Sequence, residues 1–164
     1  MGDQNRNIFA ASFGTPDGGS RAGGAIAGGL PDKVGNTAVL VVRPDGTPKF
    51  TESKDWGAGR GALLGGVIGI LGGPLGIIAG GGIGAMAAKL RDSGFKNDQL
   101  EQLGKSLGPG HSAVVVEIES DAVDTAKALA KALGSSNEII EQVDSSVADL
   151  FSSEPAPQPE PTKA

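Results

Sequence analysis

GAGRGALLGGVIGILGGPLGIIAGGGIGAMAAKL, residues 57–90, sets the reading of the whole chain. Glycine recurs every fourth residue at Gly57, Gly61, Gly65, Gly69 and Gly73, and the spacing resumes after Pro74 at Gly76, Gly80 and Gly84. No charged residue falls between Arg60 and Lys89. Each glycine costs a helix interior about 1 kcal/mol relative to alanine, so this repeat is a poor way to build an ordinary helix. It makes sense as a flat stripe that lets another helix come very close, the small-xxx-small mode of packing. The middle of the segment is Gly72-Gly73-Pro74. Proline removes a helical hydrogen bond and clashes with the preceding turn. The expectation is therefore a hairpin of two helical arms, residues 57–72 and 74–90, turning at Gly72, Gly73 and Pro74. Each arm is about 24–26 Å long at 1.5 Å per residue, short for a bilayer span of about 20 apolar residues. Three arrangements are open: a hairpin that dips into or barely crosses a bilayer, a single kinked span, and a soluble hairpin buried against other copies. Trp56, Arg60, Lys89 and Arg91 flank the apolar stretch and suit interface anchors.

Outside this segment the pattern is that of a small mixed domain. Asn7–Phe13 reads as a strand, apolar and aromatic. Thr15-Pro16-Asp17 has the chemistry of an N-cap, a first-turn proline and a first-turn acid, and predicts a helix over Pro16–Leu30. Six glycines in three pairs weaken that helix. On this reading alanine at Gly18 and Gly19 is harmless or stabilising. Thr37–Arg43 is continuously apolar and β-branched, Pro44-Asp45-Gly46 turns the chain, and Pro48–Ser53 returns as a hairpin partner. Asn97 or Asp98 starts a helix through Leu107 with Leu100, Leu103 and Leu107 on one face. Ser112–Glu119 is a second strong strand. Asp121 then caps a helix to Leu133, stopped by Gly134, and Glu138–Val143 is a last strand. Ser145–Phe151 reads as a short helix.

The fold expected is α+β, a ferredoxin-like split βαβ sheet domain carrying the glycine-zipper apolar helical hairpin as an insertion. Residues 1–6 are a flexible N-terminus, 7–151 the single domain with 57–90 inserted, and 152–164 a proline-rich, acidic, disordered tail. If the strands form their own core, removing 57–90 leaves a soluble domain.

Composition narrows the function. The chain of 164 residues carries a formal charge of -5 and a pI of about 4.8, which argues against nucleic acid as a partner, since phosphate binding needs a concentrated basic surface. There is no cysteine, hence no disulfide framework, thiol nucleophile or thiolate metal site. Met1–Asn7 lacks the basic start and apolar run of a signal peptide.

The run Thr37–Ser53, the stretch from Asp55 to Gly65, Gly72-Gly73-Pro74-Leu75-Gly76, the helix at Leu100–Leu107 and Gly108-Pro109-Gly110-His111-Ser112-Ala113 together resemble domain-of-unknown-function family 1269, described as predicted membrane proteins. The likeness covers about residues 7–143. It implies a membrane or membrane-proximal setting and no activity, so no catalytic residues carry over.

Chemical motifs do not assemble. Gly57-Ala58-Gly59-Arg60-Gly61-Ala62 matches the spacing of a dinucleotide fingerprint, but no acid follows about twenty residues on and no returning βαβ unit does either. Gly104-Lys105-Ser106 looks like the end of a P-loop, yet Gln99 occupies the first glycine position and the motif ends a helix. His111 is the single histidine and cannot form a zinc set without cysteine. Glu117 and Glu119 share a strand face, read here as solvated. No catalytic, cofactor-binding or metal residue is assigned. The expectation is a non-enzymatic protein, membrane-associated with its sheet domain cytoplasmic, or a cytoplasmic soluble assembly. Its partners are then copies of itself and a lipid bilayer. The competing class is a soluble ligand-binding or sensory module whose hairpin packs within the protein.

Overall fold

The computed structural model describes residues 6–52, 67, 70, 71, 90–92 and 98–143. In chain order these form β1 (Arg6–Phe13), α1 (Gly18–Gly29), β2 (Val34–Val42), β3 (Pro48–Glu52), α2 (Asp98–Ser106), β4 (Ser112–Glu119), a single 3-10 turn at Ser120–Ala122, α3 (Val123–Ala132) and β5 (Ser135–Gln142). The fold is mixed α and β. One antiparallel sheet takes the order β3-β2-β4-β1-β5.

Both sheet faces are covered. On one, Phe9, Ala11 and Phe13 of β1 and Val114, Val116 and Ile118 of β4 pack under α1 and α3, which contribute Ala22, Ile26, Ala126 and Ala130. On the other, Ile8, Ala10, Ala38, Leu40, Val115 and Ile139 pack under Leu100 and Leu103 of α2. Leu107 adds to this second layer from the end of the helix, so the leucine face expected from spacing is the packing face. The unbroken Val114-Val115-Val116 run follows from position: β4 lies between β2 and β1, with a helical layer on each side. Such doubly covered strands lose the alternation of half-buried ones.

Val67, Ile70, Leu71 and Leu90 are helical and no more than 3% exposed, and they belong to the same cluster as the second sheet face. The apolar segment is therefore not a dispensable insertion. Deleting 57–90 takes at least these four side chains out of the cluster that holds Ala38, Leu40 and Val115. The eight stripe glycines, the Gly72–Pro74 break, Trp56, Arg60 and Lys89 lie outside the described residues, as do residues 144–164 with the helix expected at 145–151.

Element ends differ from the sequence reading where tertiary contacts decide them. α1 begins at Gly18, and its N-cap Asp17 makes no side-chain cap bond, so Thr15 is not the cap. The cap comes from across the sheet: Ser112 Oγ accepts from the Gly19 N–H at 2.8 Å and donates to the Thr15 carbonyl at 2.7 Å. Asp121 does not cap α3 either; Ala122 holds the N-cap position without a side-chain bond. β2 starts at Val34 rather than Thr37, and β5 at Ser135 rather than Glu138. Gly134, at φ 92°, ends α3 as expected.

The glycines of α1 sort by face. Gly18 and Gly19 are buried, and a Cβ on Gly18 would overlap Cβ of Phe13. One on Gly19 would lie 3.0 Å from the Ala113 carbonyl oxygen, and one on Gly23 3.3 Å from methyls of Thr37 and Val114. Gly24 and Gly28 face open space. The expectation that alanine is harmless at 18 and 19 is overturned: α1 rides on β1 and β4 at a distance that leaves no room for a methyl group. Gly19→Ala should cost about 1–3 kcal/mol as an overpacking change against backbone that cannot yield. Gly24→Ala and Gly28→Ala should each stabilise by up to about 1 kcal/mol through helix propensity and unfolded-state entropy. Urea midpoints of the three variants check the sign at each site.

Candidate functional site

The apolar segment is fastened by side chains on both of its described ends. Val67, Ile70 and Leu71 enter the second layer on one side and Leu90 on the other. α2 approaches the first end very closely. A Cβ on Gly104 would collide with the backbone carbonyl of Leu71, so this glycine, which the sequence reading did not single out for packing, permits a backbone-to-backbone approach. Gly104-Lys105-Ser106 is the end of α2, where Ser106 Oγ donates to the Leu103 carbonyl. Next to Leu90, Arg91 lies half-buried with Nε 3.4 Å from Glu101 Oε1 of α2. That distance is long for a hydrogen bond and makes the contact an ion pair. Of the four anchor residues expected from sequence, Arg91 is the one described.

A second feature sits on the same sheet face. β2 pairs with β4 through Val34↔Ile118 and then Thr37↔Val116, so two residues, Gly35 and Asn36, lie opposite Glu117. This is a β-bulge, a device that re-aims side chains. Asn36 is 5% exposed and Glu117 1% exposed. A Cβ on Gly35 would sit 3.0 Å from Glu117 Oε2, so the glycine leaves room for the carboxylate. Asn36 Nδ2 has no hydrogen-bond acceptor among the described residues. The reading of Glu117 as part of a solvated face is overturned. It lies under the layer that holds α2 and the apolar segment, and only Glu119, at the strand end, reaches water. The missed signal was the run of β4 itself, since an acid inside a doubly covered strand is buried with it.

Glu119 has a cation of its own. Lys33 Nζ donates to Glu119 Oε2 and Asp121 Oδ2, both at 3.0 Å. The hydrogen bond to Asp121 is the larger cause of a raised Lys33 pKa, with that to Glu119 next. At the opposite end of the sheet, the hydroxyl of Thr47 and then its N–H hold the Asp45 carboxyl below the usual carboxylate value, and Gly46 takes φ 86° to complete the turn. His111 is half-buried and ties backbone to backbone: its carbonyl accepts from the Val42 N–H at 2.9 Å. Among the described residues no three His, Cys, Asp or Glu side chains converge as metal ligands.

One open cleft of about 520 Å³ runs between α2 and β5. Gln99, Gln102, Leu103 and Ser106 line it from the helix, and Asn137, Glu138 and Ile139 from the strand.

The Lys33 bridge gives a pH test. A raised folded-state pKa means that its stabilisation is fully present below the ordinary lysine value of 10.5 and is lost as pH rises through the higher folded value. Lys33→Met should therefore unfold at lower urea than the parent at neutral pH, with the gap closing above pH 10.5. Added salt should narrow the gap as well, because the bridge is exposed.

Among the described residues no helix is long and apolar enough to cross a membrane. No curated protein and no solved structure matches the chain. A family model does match, over residues 58–148, described as a protein of unknown function, DUF1269. That span takes in the apolar segment, α2, β4, α3 and β5, more than half of the sequence, and the chain belongs to this family.

Proposed function

We propose that this is a non-enzymatic protein that uses its sheet domain to hold an apolar, glycine-rich loop for shallow insertion into a bilayer or for packing against further copies. The observation that carries the reading is that Leu71 and Leu90 belong to one core cluster. Residues 72–89 join these two anchors in sequence, and Lys89 is their one charged member. Half of that stretch, nine residues, would reach about 13 Å as helix against a hydrocarbon core of about 30 Å. Two anchors in one core argue against a single span. Of the three arrangements, dipping into one leaflet and burial against other copies remain. The stripe glycines pack arm on arm within this loop or across copies, and the sheet domain sits on the cytoplasmic side.

The strand order supports the ferredoxin-like description of the core. With β3 set aside as an added edge strand, β2-β4-β1-β5 together with the helices after β1 and β4 has the arrangement of a split βαβ domain. The cleft between α2 and β5 favours a second reading, a soluble ligand-binding module, because polar side chains converge there beside the sheet.

Two deletions separate the readings. Replacing 72–89 with a short polar linker should keep a cooperative fold and abolish co-flotation with anionic vesicles and self-association. Deleting 57–90 should lose the fold, since Val67, Ile70, Leu71 and Leu90 go with it. Gly80→Leu should weaken association with the fold intact. A full-length protein that is monomeric without detergent and ignores vesicles sinks the association reading and leaves the ligand-binding one.

A further inference from the structure

Among the described strands β5 is the terminal one of the sheet. Its inner side is paired with β1 from Asn7↔Gln142 to Ser12↔Asn137. The cleft beside it is lined by three consecutive residues, Asn137, Glu138 and Ile139. Asn137 and Ile139 share the face that α2 covers, while the side chain of Glu138 between them points to the other face. With β1 on the inner side, a cleft that all three line opens at the outer edge of β5. Its other wall is one face of α2, positions 99, 102, 103 and 106, which offers two amides and a hydroxyl above Leu103 and Ile139. This is the space that a sixth strand would occupy, about 4.8 Å from β5.

We propose that this groove accepts an extended, basic polypeptide segment as an added strand, with α2 covering it. The two edges of the sheet are treated differently. β3 is five residues long, begins with Pro48, which has no N–H to offer, and carries Lys49. These are the usual protections of an edge. β5 is eight residues long and has neither proline nor lysine. Charge then selects the occupant. Among the described lining residues Glu138 is the charged one, and Ser135 Oγ donates to its Oε1, which orients the carboxylate and leaves its second oxygen for a cation. A second copy of β5 fits poorly. Paired antiparallel with Ser135 opposite Gln142, each Glu138 lies diagonal to Glu141 of the other strand, and a shift of one residue sets Glu138 against Glu138; facing like charges destabilise a sheet. The chain's own residues 152–164 carry Glu154 and Glu160, with prolines at 155, 157, 159 and 161 that cannot donate to a ladder.

The test uses the full-length chain and three short fluorescent peptides: alternating lysine and threonine, alternating glutamate and threonine, and alternating lysine and proline. The lysine–threonine peptide should bind, with amide shifts confined to β5 and to the 99–106 face of α2. The lysine–proline peptide keeps the charge but cannot build a ladder and should bind at least about tenfold more weakly. The glutamate peptide should not bind, and Glu138→Lys should reverse the preference. Equal binding of the two lysine peptides means general electrostatic attraction and overturns the proposal. Shifts that map elsewhere overturn it too, as does a dimer that Glu138→Lys strengthens and whose contact lies on β5. None of these readouts uses vesicles, so the outcome is separate from that of the loop deletions.

Discussion

Two apolar layers must meet on one strand. β4 hydrogen-bonds to β2 on one side and β1 on the other, and Val114, Val115 and Val116 are fully buried between α1 and α3 on one face and α2 with Val67, Ile70, Leu71 and Leu90 on the other. Burying a side chain of this size stabilises by about 1.5–3 kcal/mol, but only if something covers it. α1 and α3 cover one face from within the ordinary βα connections. On the other face the described cover is α2, nine residues long, together with Val67, Ile70, Leu71 and Leu90. These four side chains come from the glycine-rich segment. That requirement ties the least ordinary stretch of the sequence to its most ordinary strand.

The same requirement explains what could be read in advance and what could not. β-branched runs at 37–42 and 112–118, the leucine spacing at 100, 103 and 107 and the turn chemistry of Pro44-Asp45-Gly46 are local signals, and each element they announced is present. The helix at α1 was also announced, but the purpose of its glycines was not. Gly18 and Gly19 look like weakness when the helix is considered alone. They are a fit once β1 and the Ala113 carbonyl are in place. The capping of α1 fails in the same way, because its acceptor is Ser112, 93 residues away from Gly19. Propensity and capping rules describe an isolated helix, and this helix takes both its contact distance and its cap from a strand. The candidate loop is legible only in part: sequence gave its lack of charge, while the return of Leu90 to the core reached by Leu71 is a tertiary fact.

Glu117 carries the opposite lesson. Glu117 is a carboxylate 1% exposed, set opposite Ile8 of β1, in a strand otherwise filled by apolar side chains, and burying such a group is costly unless it is paired. The sheet nevertheless bends around it, with a bulge at Gly35 and Asn36 and a missing side chain at Gly35 that makes space for the oxygens. A bulge, a glycine and an amide gather at this one point. They share the face on which the apolar segment is fastened.

Glycine does two jobs in this chain, and the distinction bears on how the apolar segment works. In α1 and at Gly104 it removes a side chain so that a helix can touch backbone: Gly19 at Ala113, Gly104 at Leu71. These contacts are one-sided, since the partner is not a glycine. A stripe repeated every fourth residue over residues 57–84 asks for more, namely a partner surface that is itself flat over a comparable length. The described surfaces do not supply one: the second sheet face is already filled by Leu40, Leu100 and Leu103. On the proposed reading, a flat stripe finds its match in another flat stripe, either the other arm of the same segment or that of a second molecule. Contacts of that kind are short-ranged and gain strength when water is absent, as at a bilayer surface or inside an assembly. Large side chains at Val67, Ile70, Leu71 and Leu90 hold the segment to the domain, which on the proposed reading leaves the flatness of the glycine stripe for what the segment meets.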